Sequence, residues 1–447
     1  FHGLTQVRMP PQSEVSLELV IVYGHWGGVA AASHAQLSLI GWGGNQLWEQ
    51  SALGSWGESM CFDPEQAQAA CSITDVRPLM VTPMNGRETW SWTNNVGGGD
   101  FFRLFDQADA HLPHRAMQAT HLRYGPCLTE VVYQGRIGSN IRHSETVSLA
   151  RTDDLVRATV RIRMNVDESQ EFSRLALFQI GADTYNFTRE ARFARGDSSG
   201  LVAEWAATPG GNRYRTEPAA ADGPLPWISL HEGRRPPHAK KGGAWANRGL
   251  IIRDWSARLG GKPAAPHLAE RGTTRHRQDY STIDLVPPPG ITRLQAGDFV
   301  EATLEYLVIP QSAVDYYGPN DTFRGALQRD GDSWRLVYRE AVANHRTVDV
   351  TKGTLIHHHP DIRIRAENDR ASFSITGGLG HVPVTITGLT SHSGFLLTLD
   401  GEPVDQAVHG NDFWQCDYDP TSQRWSRTYT LPLSPGRPHR LELVPGD

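Results

Sequence analysis

The stretch Val156-Arg157-Ala158-Thr159-Val160-Arg161-Ile162-Arg163-Met164 alternates apolar and polar residues without a break. A side-chain period of two buries one face only as a β-strand. The signature recurs along the chain. Ser16 to Tyr23 alternates before turning continuous, Thr146 to Leu149 repeats it, and Phe299 to Val308 alternates up to Pro310. Leu175 to Ile180 is a short apolar run of the buried-strand type. Helical periodicity is scarce: Asp321 to Asp330 reads as one or two turns and Gln66 to Cys71 as another. Runs of strands without intervening helices specify antiparallel sheets packed face to face. The segment Asn344 to Thr354 looks like the entry to a second unit. Beyond it the strands shorten (Ala371 to Ile375, Val382 to Ile386, Phe395 to Leu399, Thr428 to Leu431, Arg440 to Val444) and turn residues separate them at sandwich spacing. The expected organisation is all-β: a large antiparallel double sheet over 1–345, then a small C-terminal β-sandwich over 346–447.

Composition limits the function classes. A hydrophobic share of 39% in 447 residues supports a substantial core. A net charge of -6 offers no basic face for nucleic acid, and no apolar run approaches the roughly 20 residues that cross a bilayer. Only four of the 43 basic residues are lysines (Lys240, Lys241, Lys262, Lys352). Arginine is the better bidentate carboxylate binder, so an acidic substrate fits; base composition of the coding genome explains the same bias. Of the four cysteines, Cys61 and Cys71 flank a Pro/Gln/Ala-rich loop and are placed for a local disulfide. Cys127 and Cys416 read either as free and buried or as a long-range staple. Four cysteines and a start at Phe1 rather than Met fit an exported chain, secreted or periplasmic.

The chemistry-bearing residues concentrate between 42 and 100. Gly41 to Glu49, Ser55 to Glu58 and Trp90 to Asp100 place Trp42, Trp48, Trp56, Trp90 and Trp92 within a few residues of Asn, Gln, Glu or Asp. Sugars require that combination: rings stack on their C–H faces while amides and acids bind their hydroxyls. Trp48, Trp56, Trp92 and Asn94 are therefore the expected substrate contacts. Trp245 with Asn247, and Tyr316 beside Tyr317, extend such a groove from loops at the sheet rim. Alternation sends some of the tryptophans into the core, so the polar residues freed from it by glycine are the sharper candidates: Glu58 after Gly57, and Asn94, Asn95 and Asp100 around Gly97 to Gly99.

Glycoside hydrolysis normally needs two carboxylates, one donating a proton and one acting as nucleophile or base. Glu49, Glu58, Asp100, Glu130, Asp183 and Glu204 all lie beside aromatic or Gly-rich sequence. Glu58, against Trp56, is the expected proton donor, and Asp100, Glu130 or Asp183 its partner. Each alone reads equally as a structural acid. Elimination on a uronate needs a side chain that neutralises the carboxylate and a Tyr or His that removes the C5 proton. Asn94, Asn95, His121, Arg123, Tyr124 and Tyr185 supply such a set, with His121 and Arg123 on one strand face and Tyr124 on the other, so only some of them share a pocket. Metal signals are weak. His357-His358-His359 alternates faces, and Asp412, Asp417 and Asp419 match no EF-hand spacing. They are turn formers before they are ligands of a structural calcium, and no other cofactor is expected. No Walker loop, dinucleotide Gly motif, nucleophile elbow or CxxC is present.

A long β-unit with Trp/Asn/Gly loops followed by about 100 residues of short strands resembles the galactose-mutarotase-like supersandwich of carbohydrate-active enzymes. That class includes domains of polysaccharide lyases and glycoside hydrolases. The resemblance implies a large antiparallel β-supersandwich and a small C-terminal sandwich. No helical-repeat segment is present to build an (α/α) toroid, so the site is expected on the concave face of the sheet itself. The expected function is cleavage of glycosidic bonds in a polysaccharide or oligosaccharide by carboxylate-based hydrolysis. The alternatives are β-elimination by a polysaccharide lyase on a uronate glycan, a non-catalytic glycan-binding protein, and a structural subunit whose Trp/Gly segment is core and rim.

Overall fold

The computed structural model describes residues 10–14, 38–41, 47–55, 58–62, 73–84, 87–92, 97–124, 127–150, 154–182, 191–232, 246–275, 278–310, 313, 320–330, 334–404 and 414–446; for the strands before Asp100 it gives backbone pairing alone. The chain divides into a short unit, Phe1–Ala30, and a main unit, Ala31–Asp447. Of the short unit, residues 10–14 are described, a turn in which the Ser13 hydroxyl donates to the Pro10 carbonyl. Ser16 to Tyr23 lies outside the described residues. All that follows concerns the main unit.

The fold is all-β. A first sheet of 12 strands runs, in spatial order, from Ser38–Gly41 through Leu47–Ser55, Glu58–Phe62, Ile73–Met84, Gly97–Phe105, Arg174–Ala182, Gln278–Val286 and His267–Arg275 to Arg213–Tyr214. A second sheet of 10 strands runs from Gly200–Ala206 through Ala191–Asp197, Trp227–Glu232, Ala246–Leu259, Phe299–Pro310, Val156–Val166, Ile141–Ala150 and Leu128–Ile137 to His114–Tyr124. Pairing within both is antiparallel. One continuous apolar cluster joins them, with Phe101, Phe178, Ile180 and Leu285 from the first sheet meeting Val160, Ile162, Leu304 and Tyr306 from the second. Phe178 and Tyr306 meet edge to face at 6.2 Å across that core. Burying each such side chain contributes about 1.5–3 kcal/mol.

The outer face of the second sheet departs from the solvent-facing alternation expected of it. Two helices cover part of it: α1 (Asp321–Asp330) and α2 (Arg335–Ala343). They bury Phe323, Leu327, Leu336 and Val337 against Ile251, Leu307 and Trp227. The Asn320 side chain caps α1 by accepting from the Phe323 N–H at 2.8 Å. Arg157, on the polar side of the alternating strand, is therefore buried. It is held by both carboxylate oxygens of Asp154 at 2.7 Å and by Glu340 of α2 at 2.8 Å. Arg253 likewise donates to Glu305 at 2.7 Å and to the α2 carbonyl of Ala341 at 2.8 Å. A buried charge is tolerated only when so paired.

Residues 347–445 form two five-stranded sheets. One holds Thr347–Lys352, Ala371–Thr376, Pro438–Pro445, Phe395–Leu399 and Glu402–Pro403; the other holds Thr354–His357, Ile362–Arg365, Gly380–Leu389, Arg424–Leu433 and Trp414–Asp419. Ile364, Phe373, Val384, Leu431 and Leu443 pack in a second cluster between them. All five C-terminal strands expected from the sequence are present, Phe395–Leu399 with the expected bounds and the other four extended, Gly380–Leu389 and Arg424–Leu433 the most. Helix α2 was not anticipated, and Gln66 to Cys71 lies outside the described residues.

Candidate functional site

A polar face on the first sheet gathers groups that can do chemistry. It begins with a break in alternation. In strand Gly97–Phe105, Phe101, Phe102 and Leu104 all enter the core, and Phe102 carries a φ of 45°, a backbone region bulky residues rarely enter. The paired strand compensates, since Leu175, Leu177, Phe178 and Ile180 are all core residues. Two adjacent apolar residues on each strand thus point inward. The polar neighbours on either side, Asp100 and Arg103, are left on one outer face, where Arg103 donates to Asp100 at 3.0 Å. Asp100 also accepts the Phe101 N–H at 2.9 Å. Gly97, Gly98 and Gly99 pair with Ala182, Gly181 and Ile180, so they belong to the strand and not to the loop expected from the sequence.

The register carries this face across the sheet. Asp100 lies opposite Gln179, Gln179 opposite Asp284, and Tyr214 opposite Arg271, which itself faces Thr282. Asp284, fully buried, accepts three hydrogen bonds: from Gln179 at 2.7 Å, from the Tyr214 hydroxyl at 2.9 Å and from Thr282 at 2.9 Å. Burial and the Asp284 charge push the Tyr214 phenol well above its usual range, so it remains protonated. Arg174 stacks over the Phe105 ring at 3.4 Å from its centroid. Burial lowers the Arg174 pKa, with Arg271 adding to the effect. His111, paired with Phe105 across the strands, sits 5.2 Å from it ring to ring. Burial, then the Arg103 charge, pushes His111 down to about 4, so it is a neutral imidazole at ordinary pH. Two buried nitrogens here, Arg271 Nε and His111 Nε2, have no hydrogen-bond partner among the described residues. Buried polar atoms are rarely left so without a reason.

The sequence-based candidates scatter. Among the candidates whose side chains are described, Asp100 alone joins this face. Glu58 begins a strand of the same sheet, two strands from that of Asp100, and Trp48 and Trp92 lie on strands of the same network; their side chains are outside the described residues. So are Trp56, Asn94, Asn95, Asp183, Tyr185, Trp245, Tyr316, Cys71 and Asp412, together with the side chains of His121 and Cys61. Glu130 belongs to a different cluster, on the second sheet. It accepts from Ser148 at 3.1 Å, Arg123 at 2.8 Å and Arg363 at 2.9 Å, and is fully committed to joining that sheet to the C-terminal strands. Arg123 is in the same cluster, bonded also to Asp417 and Ser426. It does not share a simple alternating face with His121, because the pairing slips between them (His121 opposite Val131, Arg123 opposite Glu130). Asn247 is in a strand, not a loop: it pairs with Ile309 and is buried. Glu204 is salt-bridged to Arg192 at 2.8 Å.

Cys127 and Cys416 are free thiols. Asp419 accepts from Thr421 and Ser422 in a turn, as its sequence context suggests. Among the described residues no group of three or more His, Cys, Asp or Glu is placed to hold a metal.

No protein-family model matches the chain, and no curated protein sequence matches it. Solved structures that share its organisation do so distantly. A galactose mutarotase related enzyme from Lactobacillus acidophilus aligns over 58% of this chain and 97% of its own, at 10% identity and a TM-score of 0.35. The galactosidase domain of an alpha-galactosidase-sucrose kinase aligns over 46% of this chain at 9% identity and a TM-score of 0.29. A polysaccharide lyase aligns over 88% of this chain at 10% identity and a TM-score of 0.19. The aligned part spans 29% of the galactosidase and 44% of the lyase.

Proposed function

We propose that the outer face of the first sheet binds a uronate-bearing glycan and cleaves it by β-elimination, in a chain that is secreted or periplasmic. The supporting observation is the convergence of Arg103, Arg174 and Arg271 on a face whose carboxylates, Asp100, Asp109 and Asp284, already have partners, with the buried Arg271 Nε and His111 Nε2 lacking a hydrogen-bond partner among the described residues. Arg103 and Arg174 are paired with Asp100 and Asp109, but Arg271 has no ion-pair partner among the described residues and suits a substrate carboxylate; neutralising that group acidifies the adjacent C5–H. His111, neutral, takes the C5 proton. The C5–H electron pair forms the C4–C5 double bond, the C4–O bond breaks, and the leaving oxygen takes the Tyr214 proton. Asp284 orients the phenol and keeps it protonated until then.

A second reading rests on the two carboxylates themselves. Asp100 and Asp284 stand two strands apart, about 10 Å between Cα atoms at ordinary strand spacing, the scale of an inverting hydrolase pair. The three donors on Asp284 weigh against it as an acid or base. Digestion of a panel of uronate and neutral glycans, read by mass, separates the two. Elimination gives a product lighter by one water than hydrolysis does and acts on uronates alone; cleavage of neutral glycans to hydrated ends would replace the first reading with the second. Binding without product would support a glycan-binding protein.

A further inference from the structure

A separate groove of about 660 Å³ opens on the C-terminal strands, a volume in the ordinary range of small-ligand sites. Its origin lies in the register of the second five-stranded sheet. Arg363, Thr385, Thr428 and Gln415 are cross-strand neighbours on one face. That row is covered: Arg363 donates to Glu130, and Gln415 accepts the N–H groups of Cys127 and Leu128 at 3.0 and 2.9 Å and donates to the Leu128 carbonyl. Two residues further along, the same face carries Arg365, Thr387, Ser426 and Asp417, and Arg424 follows Ser426 on its strand; of these Arg365, Thr387, Ser426 and Arg424 line the groove.

The open part mixes polar groups with apolar ones such as Ile356 and Ala366. Hydroxyls of Thr387 and Ser426 and the amide of Asn368 line it, with the half-buried Trp425 at one side. Trp425, which alternation turns toward the core of the small sandwich, meets Tyr418 at 4.8 Å and His392 at 5.3 Å, and Tyr418 is 48% exposed. Arg365 and Arg424 are exposed and have no ion-pair partner among the described residues. The nearby carboxylates are occupied. Asp369 takes the N–H and hydroxyl of Thr390, and Asp419 takes Thr421 and Ser422. Arg123 and Arg363, at the covered end, are neutralised by Glu130, Asp417 and Asp361. The Thr387, Thr390, Ser422 and Ser426 hydroxyls already donate within the protein, so the uncommitted groups are two guanidinium forks and the Asn368 amide, the complement of a chain bearing carboxylate or sulfate.

We propose that this groove binds an acidic polysaccharide chain, independently of the first-sheet face, and so holds the protein on a polymer. The proposal does not depend on any cleavage reaction. Its test is retardation of the full chain in gels carrying polygalacturonate, chondroitin sulfate, dextran or inorganic polyphosphate. An Arg271→Ala background removes retention by the first-sheet face. Arg365→Ala with Arg424→Ala is expected to weaken binding of the acidic glycans at least tenfold with an unchanged melting temperature. Turnover of short oligosaccharides, measured without the Arg271 change, should be unaffected. Preference for polygalacturonate or for chondroitin sulfate identifies carboxylate or sulfate as the anion recognised. Absence of retardation, retention undiminished in the double variant, or equal retardation by polyphosphate would overturn the proposal, the last by reducing the groove to a site for any polyanion.

Discussion

Tyr214, Asp284 and His111 carry the chemical reading at the residue scale, and none stood out in the sequence. Tyr214 lies in a two-residue strand, and Asp284 sits inside Ser281-Thr282-Ile283-Asp284-Leu285-Val286. There a charged residue on an alternating strand looks like an ordinary surface position. Only the cross-strand register shows that it is buried with three donors aimed at it. Tyr214→Phe removes one of those donors, a loss of about 1 kcal/mol in stability. It should lower turnover on a uronate glycan about 100-fold or more, the usual scale for a proton-transfer group; a kcat within threefold of the parent would remove Tyr214 from the reaction. The pH profile tests His111. Its folded pKa of about 4 lies below the ordinary 6.5, so the native state holds the neutral ring. Acidification from 6.5 toward 4 therefore favours the unfolded chain, which takes up the proton first. Activity should persist through that window and fall with an acid limb near pH 4, and His111→Gln should abolish most of it. An acid limb near 6.5 would mean that another group is the base.

At the scale of elements, the sequence showed strands well because a period of two is local, and Phe299–Pro310 emerges with the bounds its alternation suggested. What each face packs against is not local. The Arg157 side of its strand read as solvent-facing because nothing in nine alternating residues announces that α2 will cover it. Helix α2 escaped notice because it is nine residues long and its buried positions, Leu336, Val337, Glu340 and Ala341, include a glutamate. That glutamate is the partner of Arg157. Glu340→Ala leaves a buried guanidinium with Asp154 alone and should cost about 3 kcal/mol, read as a shift in the denaturation midpoint. The seat of α2 on the sheet gives a second test. A Cβ at Gly249 would stand 2.8 and 2.9 Å from the two Val337 methyl carbons, so Gly249→Ala should destabilise by about 1–3 kcal/mol through overpacking, and Gly249→Ala with Val337→Ala should recover part of it. The break at Phe101-Phe102 is the element-level event that assembles the site. A pair of adjacent phenylalanines between Asp100 and Arg103 was visible in the sequence; that both turn inward required the partner strand with Leu177 and Phe178.

Across the whole molecule, the two large sheets and the two small ones are joined by charge as well as by apolar packing. Glu130, Arg123 and Arg363 link to Asp361, which His357 approaches at 2.9 Å, and Gln415 clasps the backbone of Cys127 and Leu128. Burial works against the Asp361 charge, but Arg363 and His357 outweigh it and hold its pKa well below the usual range. The sequence placed a boundary at 345/346, where the large sheets end and the short strands begin, and we propose it as a domain boundary. The buried links across it predict a single calorimetric unfolding transition in the parent. Glu130→Ala, which removes the carboxylate shared by Arg123 and Arg363 and leaves them with Asp417 and Asp361 alone, should split the transition in two; two transitions in the parent would mean that the junction is not cooperative. The central claim, that Arg174, Arg271, His111 and Tyr214 on the first sheet act together on a uronate, is tested most directly by near-ultraviolet absorbance during incubation with uronate glycans. The predicted result is a rising signal from the unsaturated product with the parent chain and none with Tyr214→Phe or Arg271→Ala. A flat trace from a folded parent that nevertheless shortens the glycan would contradict it.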